Sequence, residues 1–336
     1  MDVGAIVFIT ITVALIFDVI NGFHDAANSI ATIVSTRVLS PRAAVLWAAA
    51  SNFIALFIFH QGVANTIAKT VDVKGSDPAF VWVVLCGLAG AIIWNVLTWL
   101  WGLPSSSSHA LIGGLSGAGL AYGGSEVLNW AAISKTLTFI LVAPLVGFVL
   151  GGILMFSVFW LFRRARPRKV DRVFRVGQLI SAGLYSVGHG GNDAQKTIGV
   201  IWAVMIAGGM LAPGAKAAPN WVIVASYSAM AFGTAIGGWR IVKTMGMGLT
   251  HLKPVGGFCA EVAGAITLFM ATFMKIPVST THTITGAIVG VGTVTKARGI
   301  RWAVATRIVY AWIFTIPAAG LVGAGMLWIA QHLGAW

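Results

Sequence analysis

The chain has 336 residues, of which 58% are apolar and only 9% charged, and its mean hydropathy is +0.89. This composition excludes an ordinary soluble protein and predicts an all-α polytopic membrane protein, because a helix needs about 20 apolar residues to cross the hydrocarbon core. The net charge of +13 does not indicate nucleic-acid binding, since most basic residues are concentrated in a few connecting segments, as in cytoplasmic loops. The two cysteines allow no disulfide framework or zinc site.

The first half of the chain, residues 1–162, is predicted to contain four membrane elements. In chain order these are a helix broken at residues 21–28, a second helix, a re-entrant hairpin and a third helix. The tip of the hairpin is the hydroxyl-rich turn at residues 104–108, whose backbone polar groups would be unpaired against lipid. Two full-length helices in place of the hairpin remain an alternative. The four elements are residues 3–36, 41–60, 80–122 and 129–162.

A basic segment, residues 163–175, joins the two halves and carries seven Lys or Arg residues. We predict that this segment is a cytoplasmic linker, with contact to anionic lipid. The second half, residues 176–336, is predicted to repeat the four elements of the first. They are residues 176–211, 220–239, 254–293 and 302–331.

Two pairs of motifs identify the halves as a duplication. PSSSSHALIG at residues 104–113 returns as PVSTTHTITG at residues 277–286, and GFHDAAN at residues 22–28 returns as GGNDAQK at residues 190–196. Because each half crosses the membrane an odd number of times, the repeats are predicted to be inverted, with both termini outside. Matching interruptions in two inverted repeats indicate a transporter whose site lies between the repeats.

The two hairpin tips are predicted to bind a tetrahedral oxyanion. Each tip offers hydroxyl groups at the start of a helix, where free N–H groups and the helix dipole attract anions. The alternative for any single hydroxyl is that it caps a helix or packs the hairpin. Gln195 and Lys196 are also predicted to contact the anion, although Lys196 is alternatively the counter-ion of Asp193. The predicted anion-binding hydroxyls are those of Ser105, Ser106, Ser107, Ser108, Ser279, Thr280 and Thr281.

The acidic motifs are predicted to hold the coupling cation. Asp25 and Asn28 are three residues apart and share one helix face, and Asn192 and Asp193 offer the same oxygen ligands in the second half. Carboxylates at membrane depth are costly and therefore functional candidates, and hard cations bind such oxygens. The alternative is that each aspartate caps a broken helix.

Other ionisable residues within the two hairpins and the acidic motifs each have two predicted roles. Glu261, a lone carboxylate in the second hairpin, is predicted to meet a cation or carry a proton. Lys275 either contacts the anion or extends along the hairpin. Four motif histidines either relay protons or bond to the backbone: His24, His109, His189 and His282.

At these motifs the chain resembles the inorganic phosphate transporter (PiT) family of phosphate:cation symporters. The resemblance runs from FDVINGFHDAANSIAT at residues 17–32, through GGNDAQKT at residues 190–197, to both hairpin tips, and covers essentially the whole chain. It implies phosphate uptake, with the four acidic-motif residues named above near coupling cations, the tip hydroxyls at phosphate, and an importance for Glu261. Eukaryotic sodium-coupled members carry a glutamate where this chain has Asn52, which favours protons here.

The sequence therefore predicts a secondary active transporter that imports inorganic phosphate with protons or sodium ions across a bacterial cytoplasmic (inner) membrane. The alternatives are a permease of the same family for sulfate or another tetrahedral oxyanion, and an anion channel, although intramembrane aspartates favour a carrier. No nucleophile and base set indicates an enzyme. No cofactor is expected, and the one metal considered is sodium at the coupling-cation residues. The expected partners are phosphate, the cation and membrane lipid, without nucleic acid, and a homodimer is left open.

Overall fold

The computed structural model describes residues 2–70 and 77–334, and within these ranges the protein forms twelve α-helices and no β-sheet. Five helices are long and apolar enough to cross a membrane, or up to seven spans exist if each of two sharply bent helix pairs counts as one. The predicted all-α membrane fold is confirmed. The helices of the first half are α1 (Val3–Ser35), α2 (Pro41–Ile54), α3 (Gly62–Ala68), α4 (Pro78–Leu100), α5 (Ser107–Gly123) and α6 (Trp130–Leu161). Those of the second half are α7 (Pro167–Ala207), α8 (Asn220–Ile236), α9 (Trp239–Gly248), α10 (Pro254–Phe273), α11 (Thr280–Lys296) and α12 (Trp302–His332).

The same succession of elements occurs twice along the chain. A long helix, a bent pair, a helical hairpin and a proline-containing helix form α1 to α6, and the same four elements form α7 to α12. Pro144 inside α6 and Pro317 inside α12 have the same spacing along the chain as Pro104 and Pro277 of the two hairpin tips. The duplication inferred from the motifs thus extends to the order of the elements, while the inversion of the repeats stays a prediction.

Local sequence explains where several helices begin. Proline opens α2, α4, α7 and α10, at a position where its missing N–H costs no hydrogen bond. The side chains of Ser40 and Asp77 cap α2 and α4 by accepting from Ala43 N at 3.4 Å and Ala79 N at 3.0 Å. The start of α7 also means that residues 167–175 of the predicted linker are helical.

The predicted helix break at residues 21–28 is wrong, and so is its counterpart in the second half. Both α1 and α7 run through their acidic motifs without interruption. The motifs contain no proline, and their polar side chains bond to facing helices, so the backbone does not have to open to pair them. The bends lie instead at α2–α3 and α8–α9, with angles of 87° and 71°. The helices predicted at residues 41–60 and 220–239 therefore end early, at Ile54 and Ile236.

Both predicted hairpins, α4–α5 and α10–α11, are present, and their tips are buried. The predicted tip hydroxyl residues are each no more than 4% exposed. The second arm of each hairpin packs on the proline-containing helix of the other half, α5 on α12 and α11 on α6. Glycine permits this close approach, because a Cβ at Gly117 would lie 2.1 Å from Gly320 O, and one at Gly286 would lie 2.2 Å from Pro144 O. The two halves are therefore interlocked around the tips.

Candidate functional site

The two hairpin tips meet in the protein interior. The hydroxyl of Ser108 in the first tip donates to the carbonyl of Val278 in the second, at 3.2 Å. In the first turn of each helix, the rings of His109 and His282 are in edge contact with centroids 4.4 Å apart. The starts of α5 and α11 therefore converge on one region, as predicted from the two tip motifs.

The first hydroxyl of each helix start is a cap. The side chain of Ser106 accepts from His109 N at 3.3 Å, and that of Ser279 accepts from His282 N at 3.2 Å. Both interactions satisfy amides that an α-helix leaves unpaired. For these two serines the structure thus shows the capping contact that was the alternative to anion binding.

The second hydroxyl of each helix start bonds the aspartate of the same half. Ser107 donates to Asp25 Oδ1 at 3.2 Å, and Thr280 donates to Asp193 Oδ2 at 3.2 Å. These two pairs are equivalent positions in the duplicated motifs. The hydroxyl-rich tips and the acidic motifs, predicted separately, consequently form one cluster.

The third hydroxyl of each helix start accepts a hydrogen bond from a side chain of the opposite half. Lys196 Nζ donates to Ser108 Oγ, to Asp193 Oδ1 and, at 2.9 Å, to Val278 O. In the mirror position, Asn28 Nδ2 donates to Thr281 Oγ1 at 2.9 Å. Asn28 and Lys196 are the last residues of the two equivalent acidic motifs. Lys196 therefore pairs with Asp193, as its alternative role predicts, and also contacts the first tip, while its contact with the anion stays a prediction.

Two carboxylates and an imidazole come together beneath the tips. Ligand atoms of Asp25, His189 and Asp193 all lie within 4.8 Å of one another, and the three residues are buried. Two oxygen ligands on opposite sides of a hard cation are separated by about this distance, so the group is able to hold one ion. His24 Nδ1 lies 2.8 Å from Asp25 Oδ1, and His189 Nε2 lies 3.2 Å from Asp193 Oδ2.

Three predicted site residues lie outside the centre of this cluster. Asn192 holds the second tip, because its Oδ1 accepts from Val278 N at 3.2 Å. Ser105 donates to Thr98 Oγ1 at 2.9 Å. Gln195 faces away from the tips and accepts from Val63 N at 2.9 Å, which fixes the start of α3. These three residues therefore support the elements around the cluster more directly than they contribute to its centre.

Glu261 lies in a separate buried polar cluster. It accepts hydrogen bonds from Thr32 at 2.6 Å, from Gln178 at 3.0 Å and from Ser181. Sequence reasoning missed these three partners. The spacing of Thr32, seven residues after Asp25 and therefore on the same helix face, was the one signal available for them.

Lys275 lies outside the cluster, in the turn that precedes the second tip. It is exposed and has a left-handed backbone with φ of 60°. Its side chain lines a cavity of about 770 Å³ together with Lys216, His60 and Gln195. The alternative in which Lys275 extends along the hairpin agrees with this placement better than direct contact at the tips does.

Comparison with known proteins identifies the family. The profile of the "Phosphate transporter family" matches residues 21–323, which is most of the chain. The chain belongs to this family. It is 54% identical over 316 residues to a "Probable low-affinity inorganic phosphate transporter" of Rhizobium meliloti (strain 1021), covering 94% of this chain and 93% of the relative. A protein of the same description from Bacillus subtilis (strain 168) is 43% identical, with coverage of 96% and 97%.

A solved structure supports the fold. The chain described as "The sodium-dependent phosphate transporter" superposes with a TM-score of 0.90, at 24% identity, over 97% of this chain and 99% of that chain. At that identity the likeness shows a shared architecture. Membership of the phosphate transporter family makes this chain an integral membrane transport protein and not an enzyme.

Proposed function

We propose that this protein is a secondary active transporter that imports inorganic phosphate together with protons or sodium ions across a bacterial inner membrane. The observation that carries the proposal is the meeting of two Ser/Thr helix starts over the buried pair Asp25 and Asp193. Helix N-termini and hydroxyls supply donors for a tetrahedral oxyanion, and carboxylates supply oxygens for cations. The names of the bacterial relatives support phosphate as the anion.

Electrostatics gives a physical reason for coupling. The hydroxyls of Ser107 and Thr280 donate to carboxylates, so a phosphate bound at the tips lies next to two acids. Lys196 compensates only one of them. Like charges in a low-dielectric interior repel strongly, and phosphate therefore binds well only when cations neutralise the aspartates. Cation and anion then enter the site together.

Protons are the coupling ion that we propose first. Two histidines flank the acids, His24 at Asp25 and His189 at Asp193, and an imidazole ring can both accept and donate a proton. The amide of Asn52 lies 3.3 Å from His189 Nδ1 and donates to Thr234 at 2.9 Å. A neutral amide at this position adds no carboxylate ligand for sodium, which supports protons over sodium.

For orientation we propose that the basic linker is cytoplasmic, that both termini face outward, and that the two halves are inverted repeats. Sixteen of the 22 basic residues then lie on the cytoplasmic side, which the positive-inside rule favours. The support comes from the grouping of these basic residues into four clusters along the chain. The four clusters are residues 37–42, 163–175, 240–253 and 296–307.

The test of substrate and transport class is uptake of radiolabelled anion by proteoliposomes. We expect phosphate to enter, and excess unlabelled sulfate to inhibit that uptake far less than excess unlabelled phosphate. Equal inhibition by sulfate would show that the substrate is not phosphate alone but tetrahedral oxyanions more broadly. Flux that only equilibrates, and that rises linearly with phosphate without saturation, would support an anion channel instead.

A further inference from the structure

A second buried acid lies in α1, apart from the cluster at the tips. Asp18 is 0% exposed, and neither of its carboxylate oxygens has a hydrogen-bond partner among the described residues. A buried carboxylate without a donor is costly unless it binds a proton or another cation. The side chains of Thr197 and Asn21 are the potential donors beside this carboxylate, and neither carries a charge, so a proton or another cation is still needed to neutralise it.

The neighbours of Asp18 also carry oxygens without partners. Asn21 on α1 and Thr197 on α7 lie beside the carboxyl group. The amide oxygen of Asn21 and the hydroxyl of Thr197 are buried, and within the described part of the chain neither has a hydrogen-bond partner. Four oxygen atoms thus lie together without a hydrogen bond of normal geometry, and Thr197 and Asn21 are close enough to interact with the carboxylate. Such a set suits a proton shared between oxygens, or a small hard cation with oxygen ligands.

Asp18 is aligned with the cluster at the tips. Residues 18 and 25 are seven apart on one uninterrupted helix, so they share a face and are separated by about 10 Å along the axis. Thr197 likewise follows Asp193 by one turn on α7. The facing helices α1 and α7 therefore carry two successive levels of buried oxygens, one at Asp18 and one at Asp25 and Asp193.

The surroundings of Asp18 also connect it to the large cavity. Tyr227 on α8 lines that cavity and is a neighbour of Asp18. From α7, the charged groups that face Asp18 are Asp193 and Lys196, and α4, which packs on α1, carries no charged residue. Asp193 and Lys196 are thus the charged side chains that act on Asp18 from α7, and Tyr227 is a further ionisable neighbour.

We propose that Asp18, with Asn21 and Thr197, is a second cation-binding site, which holds one coupling ion between the cavity and the Asp25–Asp193 centre. The inference rests on the proposed symport function. The ion is a proton on Asp18, or a sodium ion held by the three side chains through their oxygens. Transport of phosphate with more than one cation then uses two cation sites, one at each of the two levels of buried oxygens on α1 and α7.

The first test measures cation binding directly, in purified protein and without transport. If the ion is a proton, the infrared spectrum of the wild type contains a carboxylic-acid band that is absent in Asp18→Asn and displaced in Thr197→Val. If the ion is sodium, radiolabelled sodium binding decreases by one site per chain in Asp18→Asn. The exposed carboxylate of Asp171, which pairs with Arg175 at the surface, supplies the control Asp171→Asn. Identical spectra and identical sodium binding in wild type and Asp18→Asn would overturn the site.

The second test measures coupling in proteoliposomes. Thermal unfolding of Asp18→Asn in detergent establishes first that the variant is folded. Its cation-to-phosphate ratio should fall by one, and Asp18→Glu should restore part of that ratio. An unchanged ratio would contradict the assignment. Failure of the wild type to accumulate phosphate would instead refute the proposed function. The difference in cation binding between the wild type and Asp18→Asn could still be measured.

Discussion

The two central aspartates have different environments. Asp193 bonds Lys196, His189 and Thr280, so a permanent cation compensates it. Asp25 contacts His24 and Ser107, and neither is a permanent cation. A carboxylate at membrane depth without a counter-ion is expensive. Asp25 is therefore the acid that gains most from binding a coupling ion.

Asp25→Asn should abolish accumulation of phosphate against its gradient. The amide keeps the shape of the side chain but cannot take up a proton or neutralise a cation. We expect uphill uptake in proteoliposomes to fall by roughly tenfold or more, a barrier change of about 1.4 kcal/mol or greater. Asp171→Asn at the surface is the matched control. Normal accumulation by Asp25→Asn would show that the coupling ion binds elsewhere.

Lys196→Met should destabilise the protein. It leaves Asp193 buried without its cation, and breaking a buried pair in this way costs about 3–5 kcal/mol. The double variant Asp193→Asn/Lys196→Met removes both charges and should recover much of the loss. Thermal unfolding in detergent measures the effect. Equal stability of Lys196→Met and the wild type would mean that another cation already compensates Asp193.

At the scale of the elements, each tip is positioned by packing of its hairpin on a helix from the other half of the chain. The arm α5 packs on α12 through Gly113 and Gly117, which approach the backbone of Ile316 and Gly320. A Cβ at Gly113 would lie 2.5 Å from Ile316 O. The start of α5, which contributes the first tip, is thus fixed by a backbone contact with the other half of the chain.

Gly117→Val should separate α5 from α12. Overpacking of a close contact costs about 1–3 kcal/mol and moves the backbone, so we expect lower thermal stability and weaker phosphate uptake. Gly325→Ala, in α12, serves as the control, because a Cβ at Gly325 meets nothing within 4 Å. An unchanged melting temperature in Gly117→Val would contradict the tight packing.

The hairpins were predictable because the backbone polar groups of a turn with one proline and four serines cannot stay unpaired in lipid. The continuity of α1 and α7 was not, since glycines and asparagines in a motif are equally typical of a broken helix. Glu261 and Thr32, which are 229 residues apart, form a hydrogen bond that no local pattern reveals. Gln195 is 132 residues from Val63, and its orientation toward α3 likewise depends on tertiary packing.

For the whole molecule, the distribution of charge predicts the orientation. A cysteine introduced at Arg168 should resist a membrane-impermeant thiol reagent in intact cells, whereas one at Ser125 should be labelled. Both positions are exposed, and the native Cys86 and Cys259 are buried, so background labelling should be low. After permeabilisation both introduced cysteines should react. Labelling at residue 168 in intact cells without labelling at 125 would reverse the topology.

The whole molecule must also overcome the membrane potential. Moving one charge against 100 mV costs about 2.3 kcal/mol. A phosphate dianion therefore needs at least three monovalent cations, and a monoanion at least two, before the potential favours import. In the proposed symport Asp25 and Asp193 are one level of cation sites in α1 and α7, and Asp18 and Glu261 are further buried acids in the same protein.

The most direct test of coupling is phosphate accumulation in proteoliposomes given a single imposed ion gradient. A proton gradient alone, without sodium, should drive labelled phosphate above its external concentration, and a protonophore should collapse the accumulated pool. A sodium gradient alone should drive much less. Accumulation under sodium alone would replace protons with sodium as the coupling ion. Simple equilibration under both gradients would contradict the central claim that this protein is a phosphate:cation symporter.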